Sequence, residues 1–322
     1  MKAIVFDRYG SADVLELKDI ERPVVHDDDV LIRVRAASAN TLDWHNMRGE
    51  PFIMRPQSGL RGPKRHVLGN DVAGEVEEVG KNVTGFRSGD EVIGDVNGSF
   101  AEYVCVTKAP LGLKPVKLTF EQAAAVPVAG VTALQGLRKH GRMQPGQKVL
   151  IIGASGGVGT FAVQIAKSFG AEVTGVCSTR NVELVRSLGA DHVIDYTQED
   201  FTRGQRRYDL IFQLAGTRSP SACRRALTSK GTLVLSSGES RGRWIGPTGR
   251  IIRGIVLSRF VSQEIVTFLA ERSAEDLGTL KELVDAGNVT PVIDRTYPLS
   301  EVPEAIRYLE EGYARGKVVI TV

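Results

Sequence analysis

Apolar residues in the middle of the chain form short continuous runs that alternate with longer stretches of helical spacing. The four consecutive apolar residues 149–152 predict a strand that is buried on both faces. Phe161, Ile165 and Phe169 then fall on one face of the helix that follows. Later runs repeat this alternation, which predicts an α/β fold with a doubly wound parallel sheet. The predicted strands are residues 149–152, 173–177, 192–194, 210–214 and 232–236.

The first third of the chain has the pattern of a compact β domain. Its short apolar stretches are separated by Gly and Asp residues that are typical of turns. A capping-box-like start at Thr119 then predicts a mostly helical segment over residues 123–138, in spite of Pro127. The other predicted strands are residues 1–6, 30–35, 72–79, 91–94, 100–106 and 317–322, and the terminal helices are residues 276–286 and 303–311.

A glycine-rich turn separates the first strand of the predicted parallel sheet from its helix. Gly153, Gly156 and Gly159 occupy this turn. A helix start offers unpaired N–H groups and a partial positive charge, and glycines let a pyrophosphate approach them closely. Glycines at this spacing also occur in ordinary turns, but the flanking strand and helix favour a dinucleotide site.

The end of the second predicted strand indicates which dinucleotide binds. An NAD site usually has an Asp or Glu here for the adenosine ribose, but the chain continues as residues 178–181 without an acid. The Ser178 hydroxyl and the Arg180 guanidinium can instead donate charge-assisted hydrogen bonds to a 2′-phosphate. The sequence therefore predicts NADPH as the cofactor. Alternatively, these residues only begin the next helix, with Ser178 or Thr179 as its N-cap; both interpretations can hold together.

Composition limits the other classes of function. The chain has 322 residues, 42% hydrophobic and 25% charged, which suits about two domains of an ordinary globular protein. A formal charge of +3 gives little support for nucleic-acid binding. No apolar run reaches the ~18 residues of a membrane span, and the first residues alternate as a strand does, so we expect a cytoplasmic protein. The cysteines Cys105, Cys177 and Cys223 lie far apart and offer no disulfide framework.

Several short motifs, taken in their order along the chain, are specific to one family. They begin at Asn40, Leu68, Val79, Gly89, Ala129, Gly153, Leu188 and Ala314. With them the whole chain resembles the medium-chain dehydrogenase/reductases, and within these the zinc-free quinone oxidoreductase (zeta-crystallin-like) branch. The resemblance implies a GroES-like β domain built from residues 1–123 and 267–322, a Rossmann NADP-binding domain of residues 124–266 between them, and an active site in the cleft.

The same resemblance argues against a catalytic zinc. Zinc-dependent relatives have a Cys, a His and a second Cys where this chain has Asn40, Asn70 and Val128. Two amides and a valine cannot replace thiolate and imidazole ligands, so we expect no metal and disfavour a zinc-dependent alcohol dehydrogenase. Without a Lewis acid, the favoured reaction is hydride transfer from NADPH to an electron-poor quinone or α,β-unsaturated carbonyl.

Two residues are the catalytic candidates that the resemblance implies. Asn40 is expected near the nicotinamide and the substrate oxygen, although an Asn at a strand end can also simply satisfy a turn. His45 stands where relatives often have a Tyr and is a candidate proton donor, because imidazole titrates near neutrality. A loop histidine can equally be structural or merely exposed.

The cofactor-binding candidates also follow from the resemblance. We expect four residues of the glycine turn on the pyrophosphate, three residues around the adenosine, two near the nicotinamide half and three from the C-terminal segment. The candidates are Ser155, Gly156, Gly157 and Val158 for the pyrophosphate; Ser178, Arg180 and Tyr196 for the adenosine; Thr132 and Ala215 for the nicotinamide half; and Ala314, Arg315 and Lys317 from the C-terminal segment. Tyr196 could instead be a core aromatic.

Three questions stay open at this point. Residues 237–260 match the family least, and they could form a pocket wall that selects the acceptor, a lid or an oligomer contact. Relatives usually pair through the edges of their Rossmann sheets, so we expect a homodimer. The alternative function is that of an NADPH-binding redox sensor or crystallin-like interaction protein with little turnover.

Overall fold

The computed structural model describes residues 1–107, 110–216, 218–236 and 262–322. These form two compact units. The first unit comprises Met1–Val128, Arg272–Asp285 and Pro291–Val322, and the second comprises Ala129–Glu271 and Ala286–Thr290. The segment 237–260, predicted to form a pocket wall, a lid or an oligomer contact, lies outside the described residues.

Within its described residues, the first unit contains a seven-stranded sheet in the order β14-β15-β3-β4-β5-β7, with β6 also paired to β3. All pairs are antiparallel except β14 with β15. β3 is almost wholly buried because it pairs with three strands. The strands of this unit are β1 Lys2–Val5, β2 Glu16–Asp19, β3 Asp29–Ala39, β4 Asp71–Val79, β5 Glu91–Asp95, β6 Tyr103–Thr107, β7 Leu111–Leu113, β14 Ile293–Pro298 and β15 Lys317–Thr321.

One hydrophobic core joins the two ends of the chain in the first unit. Ile4 and Phe6 from the start of the chain pack in the same cluster as Ile306 and Ile320 from its end. The helices of this unit are α1 Thr41–Arg48, α2 Arg55–Ser58, α3 Phe120–Ala124, α8 Ala274–Asp285 and α9 Val302–Glu310. Short 3₁₀ turns are Ala12–Val14, Phe52–Met54 and Leu299–Glu301.

The second unit is a parallel α/β structure. Among its described residues, six strands pair in the order β10-β9-β8-β11-β12-β13, all parallel. This is the doubly wound order, in which the chain reverses direction across the sheet between β8 and β11. The strands are β8 Lys148–Ile152, β9 Glu172–Cys177, β10 His192–Asp195, β11 Tyr208–Gln213, β12 Leu227–Ser236 and β13 Glu264–Phe268, and the helices are α5 Gly157–Ser168, α6 Val182–Ser187 and α7 Pro220–Arg224, with a 3₁₀ turn at Thr179–Asn181.

The predicted fold class is confirmed: a GroES-like sheet unit accompanies a Rossmann-type parallel sheet. The prediction of a continuous helical segment before the second unit's sheet differs from the structure. The helical segment expected over 123–138 is divided into α3 and a second helix, α4 Pro127–Gln135, which continues as the π-helical turn Gly136–His140. Proline lacks an N–H group and disfavours helical backbone in the residue before it, so Pro127 begins a helix instead of continuing one. None of the helices described is long and apolar enough to cross a membrane.

Candidate active site

A buried polar cluster lies where three adjacent strands of the first unit meet. Val318 of β15 pairs with Ala39 of β3, so the next positions, Lys317 and Asn40, come together. Asp71, the first residue of β4, pairs with Ser38 on the other side of β3. The exposed fractions are 3% for Lys317, 8% for Asn40 and 0% for Asp71. Sheet register therefore assembles residues that are far apart in the sequence.

The Asp71 carboxylate is the centre of this cluster. Its Oδ2 accepts hydrogen bonds from Ser38 Oγ at 2.6 Å and Asn40 Nδ2 at 2.9 Å, and it lies 3.0 Å from the Lys317 ammonium. Its Oδ1 accepts the Val128 N–H at 2.8 Å. Because a buried charge must be paired and hydrogen-bonded, these four donors make the ionised carboxylate tolerable in the interior.

The side chain of Asn40 is fully engaged. Its Nδ2 donates to Asp71 Oδ2 at 2.9 Å and to the Ser38 carbonyl at 3.2 Å, and its Oδ1 accepts from Lys317 Nζ at 2.5 Å. A primary amide has two N–H donors, and both are used here. A substrate oxygen could accept from Asn40 only by displacing one of these bonds. The expected contact between Asn40 and substrate stays a prediction.

Helix α1 begins directly after Asn40 and buries a second carboxyl group. Asp43 Oδ2 accepts the Asn40 backbone N–H at 2.8 Å, as expected for a residue in the first turn of a helix. Asp43 is 0% exposed, and its Oδ1 has no hydrogen-bond partner. Burial raises the pKa of Asp43 to about 8, outweighing the Asn40 hydrogen bond, which acts in the opposite direction.

The raised pKa predicts that Asp43 lowers stability as the pH rises. Between pH ~4 and ~8 the folded protein holds a proton on Asp43 that the unfolded chain has lost. The free energy of unfolding should therefore fall by up to ~1.4 kcal/mol for each unit that the pH rises. Asp43→Asn should remove this slope, because asparagine does not ionise. Urea unfolding of both proteins at several pH values measures the difference. Parallel stability profiles would contradict the assignment.

His45 lies on α1, one turn after Asn40. Both of its ring nitrogens are buried and without hydrogen-bond partners, and the ring packs edge-on against Trp44 with the ring centroids 4.2 Å apart. Burial lowers the pKa of His45, although Glu50 acts in the opposite direction. The imidazole is therefore mainly neutral at pH 7 and carries one N–H donor. The half-buried ring is a candidate for contact with a ligand.

The glycine turn of the second unit joins β8 to α5, and each glycine has a distinct environment. Gly153 has φ +88°, and its N–H donates to the Val176 carbonyl at 3.1 Å. A Cβ on Gly159 would lie 2.0 Å from the Gly153 oxygen, so Gly159 allows the helix to approach the turn. A Cβ on Gly156, the N-cap of α5, would meet only that oxygen, at 3.5 Å. Open space beside a helix N-terminus fits a pyrophosphate.

Asn181, which the sequence analysis did not select, connects two predicted cofactor residues. Its Nδ2 donates to Ser155 Oγ at 2.9 Å and to Ser178 Oγ at 3.2 Å. Asn181 is only 5% exposed, and its Oδ1 is buried without a partner. It therefore orients both hydroxyls beside the predicted dinucleotide turn, and its buried Oδ1 is an unused acceptor there. The only signal in the sequence was an Asn in the segment considered as a helix start.

An acid does lie near the residues predicted to surround the adenosine, but it comes from a different strand. Asp195 ends β10, and its carboxylate accepts from Thr179 Oγ1 at 2.6 Å and from the Thr197 N–H at 3.0 Å. The Thr179 hydrogen bond lowers the pKa of Asp195. The sequence analysis looked for an Asp or Glu only at the end of β9. Asp195 is engaged with threonines that fix the 178–181 turn.

The other cofactor candidates occupy both units. Tyr196 is 61% exposed, so its interpretation as a core aromatic is wrong. Ala215 lies against Gly153, because a Cβ on that glycine would be 2.7 Å from Ala215 Cβ. Arg315 donates its backbone N–H to Asp294 Oδ2 at 3.0 Å. Candidates of the second unit are Thr132, Ser155, Gly156, Gly157, Val158, Ser178, Arg180, Tyr196 and Ala215, and those of the first unit are Ala314, Arg315 and Lys317.

Comparison with known proteins matches two family models to different parts of the chain. The family model described as alcohol dehydrogenase GroES-like domain matches residues 26–116, and that described as zinc-binding dehydrogenase matches residues 188–320. The chain is 37% identical to the mitochondrial NAD(P)H oxidoreductase RTN4IP1 of Mus musculus, over 100% of this chain and 89% of the relative. The chain belongs to the medium-chain dehydrogenase/reductase family.

Two further relatives of this family resemble the chain over nearly its whole length. The chloroplastic NADPH-dependent alkenal/one oxidoreductase of Arabidopsis thaliana is 35% identical, over 99% of this chain and 79% of the relative. The structure of the quinone oxidoreductase from Coxiella burnetii is similar with a TM-score of 0.88 and 33% identity, covering 100% of this chain and 99% of that one. The predicted membership of the quinone oxidoreductase branch is confirmed.

The residues at the family's zinc-ligand positions do not fit a zinc ion in this chain. Asn40 Oδ1 is 2.5 Å from the Lys317 ammonium, so a cation bound there would meet another positive charge. The Asn70 amide donates to the Val96 carbonyl at 3.1 Å, and Val128 has no ligand atom in its side chain. Across the described part of the chain, no group of three or more His, Cys, Asp or Glu residues is placed to hold a metal.

Proposed function

We propose that this protein is an NADPH-dependent oxidoreductase that transfers hydride to a quinone or an α,β-unsaturated carbonyl without zinc. The observation that carries the proposal is the Lys317 ammonium in contact with Asn40, at a position where zinc-dependent members have a metal ligand. The relatives named as alkenal/one and quinone oxidoreductases support the two acceptor classes. Both acceptors are electron-poor and accept hydride without a Lewis acid.

The second unit fits the reduced dinucleotide. Ser155, Gly156, Gly157 and Val158 would hold the pyrophosphate at the N-terminus of α5, with Ser155 oriented by Asn181. Ser178, Arg180 and Tyr196 would surround the adenosine and its 2′-phosphate, and Thr132 and Ala215 the nicotinamide half. When bound, NADPH supplies the hydride.

The first unit would stabilise the charge that develops on the acceptor oxygen. The half-buried, mainly neutral His45 can donate its N–H to that oxygen without desolvating an ion. It can transfer a proton only in its charged form, and burial makes that form scarce at pH 7. We therefore infer that His45 acts mainly as a hydrogen-bond donor and that solvent delivers most of the protons.

The test is NADPH oxidation by the chelator-treated protein with benzoquinone, phenanthrenequinone, an alkenal and an alkenone. Turnover is expected, and the ratio of quinone to enone activity identifies the subclass. His45→Phe should lower kcat about 10- to 100-fold, whereas His45→Gln, which retains an N–H donor, should preserve most of it. NADPH binding without oxidation would overturn the proposal in favour of the binding-protein alternative. Equal losses in both variants would contradict the role of His45.

Three further points remain proposals. Within the described sheet, β13 pairs only with β12, so the backbone groups of its outer edge are left for pairing with a second copy of the chain. This supports a homodimer, which sedimentation velocity would test. The domain bounds 1–123, 267–322 and 124–266 can be tested by limited proteolysis. A cytoplasmic location can be tested by cell fractionation, since relatives are named as mitochondrial or chloroplastic.

A further inference from the structure

We propose that Lys317 is a positioning residue, whose ammonium fixes the orientation of the Asn40 amide, and that it does not bind the cofactor. This inference rests on the proposed function and on the predicted contact between Asn40 and the acceptor oxygen. Lys317 Nζ lies 2.5 Å from Asn40 Oδ1 and 3.0 Å from Asp71 Oδ2. The side chain is 3% exposed, so its charge is directed into the first unit.

The charges around Asn40 permit only one orientation of its amide. As observed, Oδ1 faces the ammonium and Nδ2 faces the Asp71 carboxylate and the Ser38 carbonyl. Turning the amide over would place NH₂ against the ammonium and the oxygen against the carboxylate. Both contacts would then be repulsive in a buried environment, where such interactions are strong. Asp71 and Lys317 therefore select the same orientation from opposite sides.

A direct role for Lys317 in cofactor binding conflicts with these contacts. To reach a phosphate, the ammonium would have to leave both Asn40 and Asp71. That movement would leave the fully buried Asp71 carboxylate without its cation, which is strongly unfavourable. The backbone also restrains Lys317, because its N–H donates to the Val292 carbonyl at 2.8 Å. The neighbouring Arg315 is not one of the residues of this cluster, so its proposed role in cofactor binding is unchanged.

The test compares Lys317→Met with Lys114→Met. Lys114 is a second buried lysine of the first unit, 9% exposed, whose ammonium bonds to the Leu118 carbonyl at 2.7 Å and pairs with Glu91 at 3.1 Å. Both changes remove a buried ammonium, but only Lys317→Met should shift the NMR signals of the Asn40 side-chain amide. Lys317→Met should also lower kcat at least tenfold while changing the Kd for NADPH less than threefold.

The double variant Lys317→Met/Asp71→Asn covers the case in which the single variant fails to fold, because it leaves no unpaired buried charge. It should fold, with altered Asn40 amide signals and low kcat.

The inference is overturned if Asn40 signals stay unchanged in the Lys317 variants, or if NADPH affinity falls tenfold or more at unchanged kcat. If the wild-type protein oxidises NADPH with none of the acceptors, the proposed function fails, and the NMR and binding measurements still decide the position of Lys317.

Discussion

Replacing Gly159 with alanine is expected to lower the free energy of unfolding by about 3 kcal/mol and to abolish NADPH binding. The added Cβ would lie 2.0 Å from the Gly153 oxygen and 2.8 Å from the Ala154 backbone. Both are main-chain atoms between β8 and α5, so no flexible side chain can move away. The turn must open, and the N–H groups of α5 would then no longer converge on a pyrophosphate. Urea unfolding and NADPH fluorescence titration measure the two effects.

Gly156→Ala is the matched control in the same turn. Its Cβ would meet only the Gly153 oxygen, at 3.5 Å, which is an ordinary contact. Alanine is a poorer N-cap than glycine, which lowers stability, but it also reduces the entropy of the unfolded chain, which raises stability. The free energy of unfolding should therefore change by less than about 1 kcal/mol. NADPH affinity should nevertheless fall at least tenfold, because the methyl group occupies the space beside the helix start. If Gly156→Ala binds NADPH normally, the pyrophosphate does not lie there.

Replacing Arg180 with aspartate is expected to weaken NADPH binding about a hundredfold and NADH binding far less. A charge-assisted hydrogen bond contributes about 1.5–3 kcal/mol, and the new carboxylate would also repel a 2′-phosphate. Asp195 already places one carboxylate beside the 178–181 turn, where it binds Thr179. A second carboxylate would make the turn resemble an NAD site. Isothermal titration with the two cofactors measures the ratio.

Arg203→Asp is the control for the change in net charge. Arg203 is 87% exposed and pairs with Asp200 of the same turn. The same charge reversal there should affect both cofactors equally and weakly, because exposed charges are screened by solvent and salt. An equal loss of NADPH and NADH affinity in Arg180→Asp would show that Arg180 does not contact the 2′-phosphate.

Local sequence pattern was sufficient for most of the second unit. The apolar run 149–152 became β8, Lys148–Ile152, and the following glycines became the turn into α5. These elements depend on neighbours close in sequence: a buried parallel strand needs consecutive apolar residues, and a tight strand-to-helix turn needs glycine. The interrupted helix at Pro127 was less predictable, because the helical residues on both sides of the proline gave a continuous pattern.

The candidate site could be predicted only in part. The resemblance indicated Asn40, His45 and Lys317 individually, but it assigned Lys317 to the cofactor. Its contacts with Asn40 and Asp71 join residues 277 and 246 positions apart, and they arise from the register of β15, β3 and β4. Asn181 and Asp195 were missed for a related reason. Their roles depend on side chains that meet across turns and on a neighbouring strand.

The sequence by itself determined the fold class, the glycine turn and the absence of zinc-binding side chains at the family's ligand positions. Each of these depends on which residue types occupy short segments of the chain. Tertiary structure decided which polar groups are buried together. It placed a lysine beside Asn40, left the His45 ring nitrogens unpaired and raised the pKa of Asp43 to about 8. Burial and electrostatic pairing are properties of the assembled sheet, since they depend on distances that local sequence does not contain.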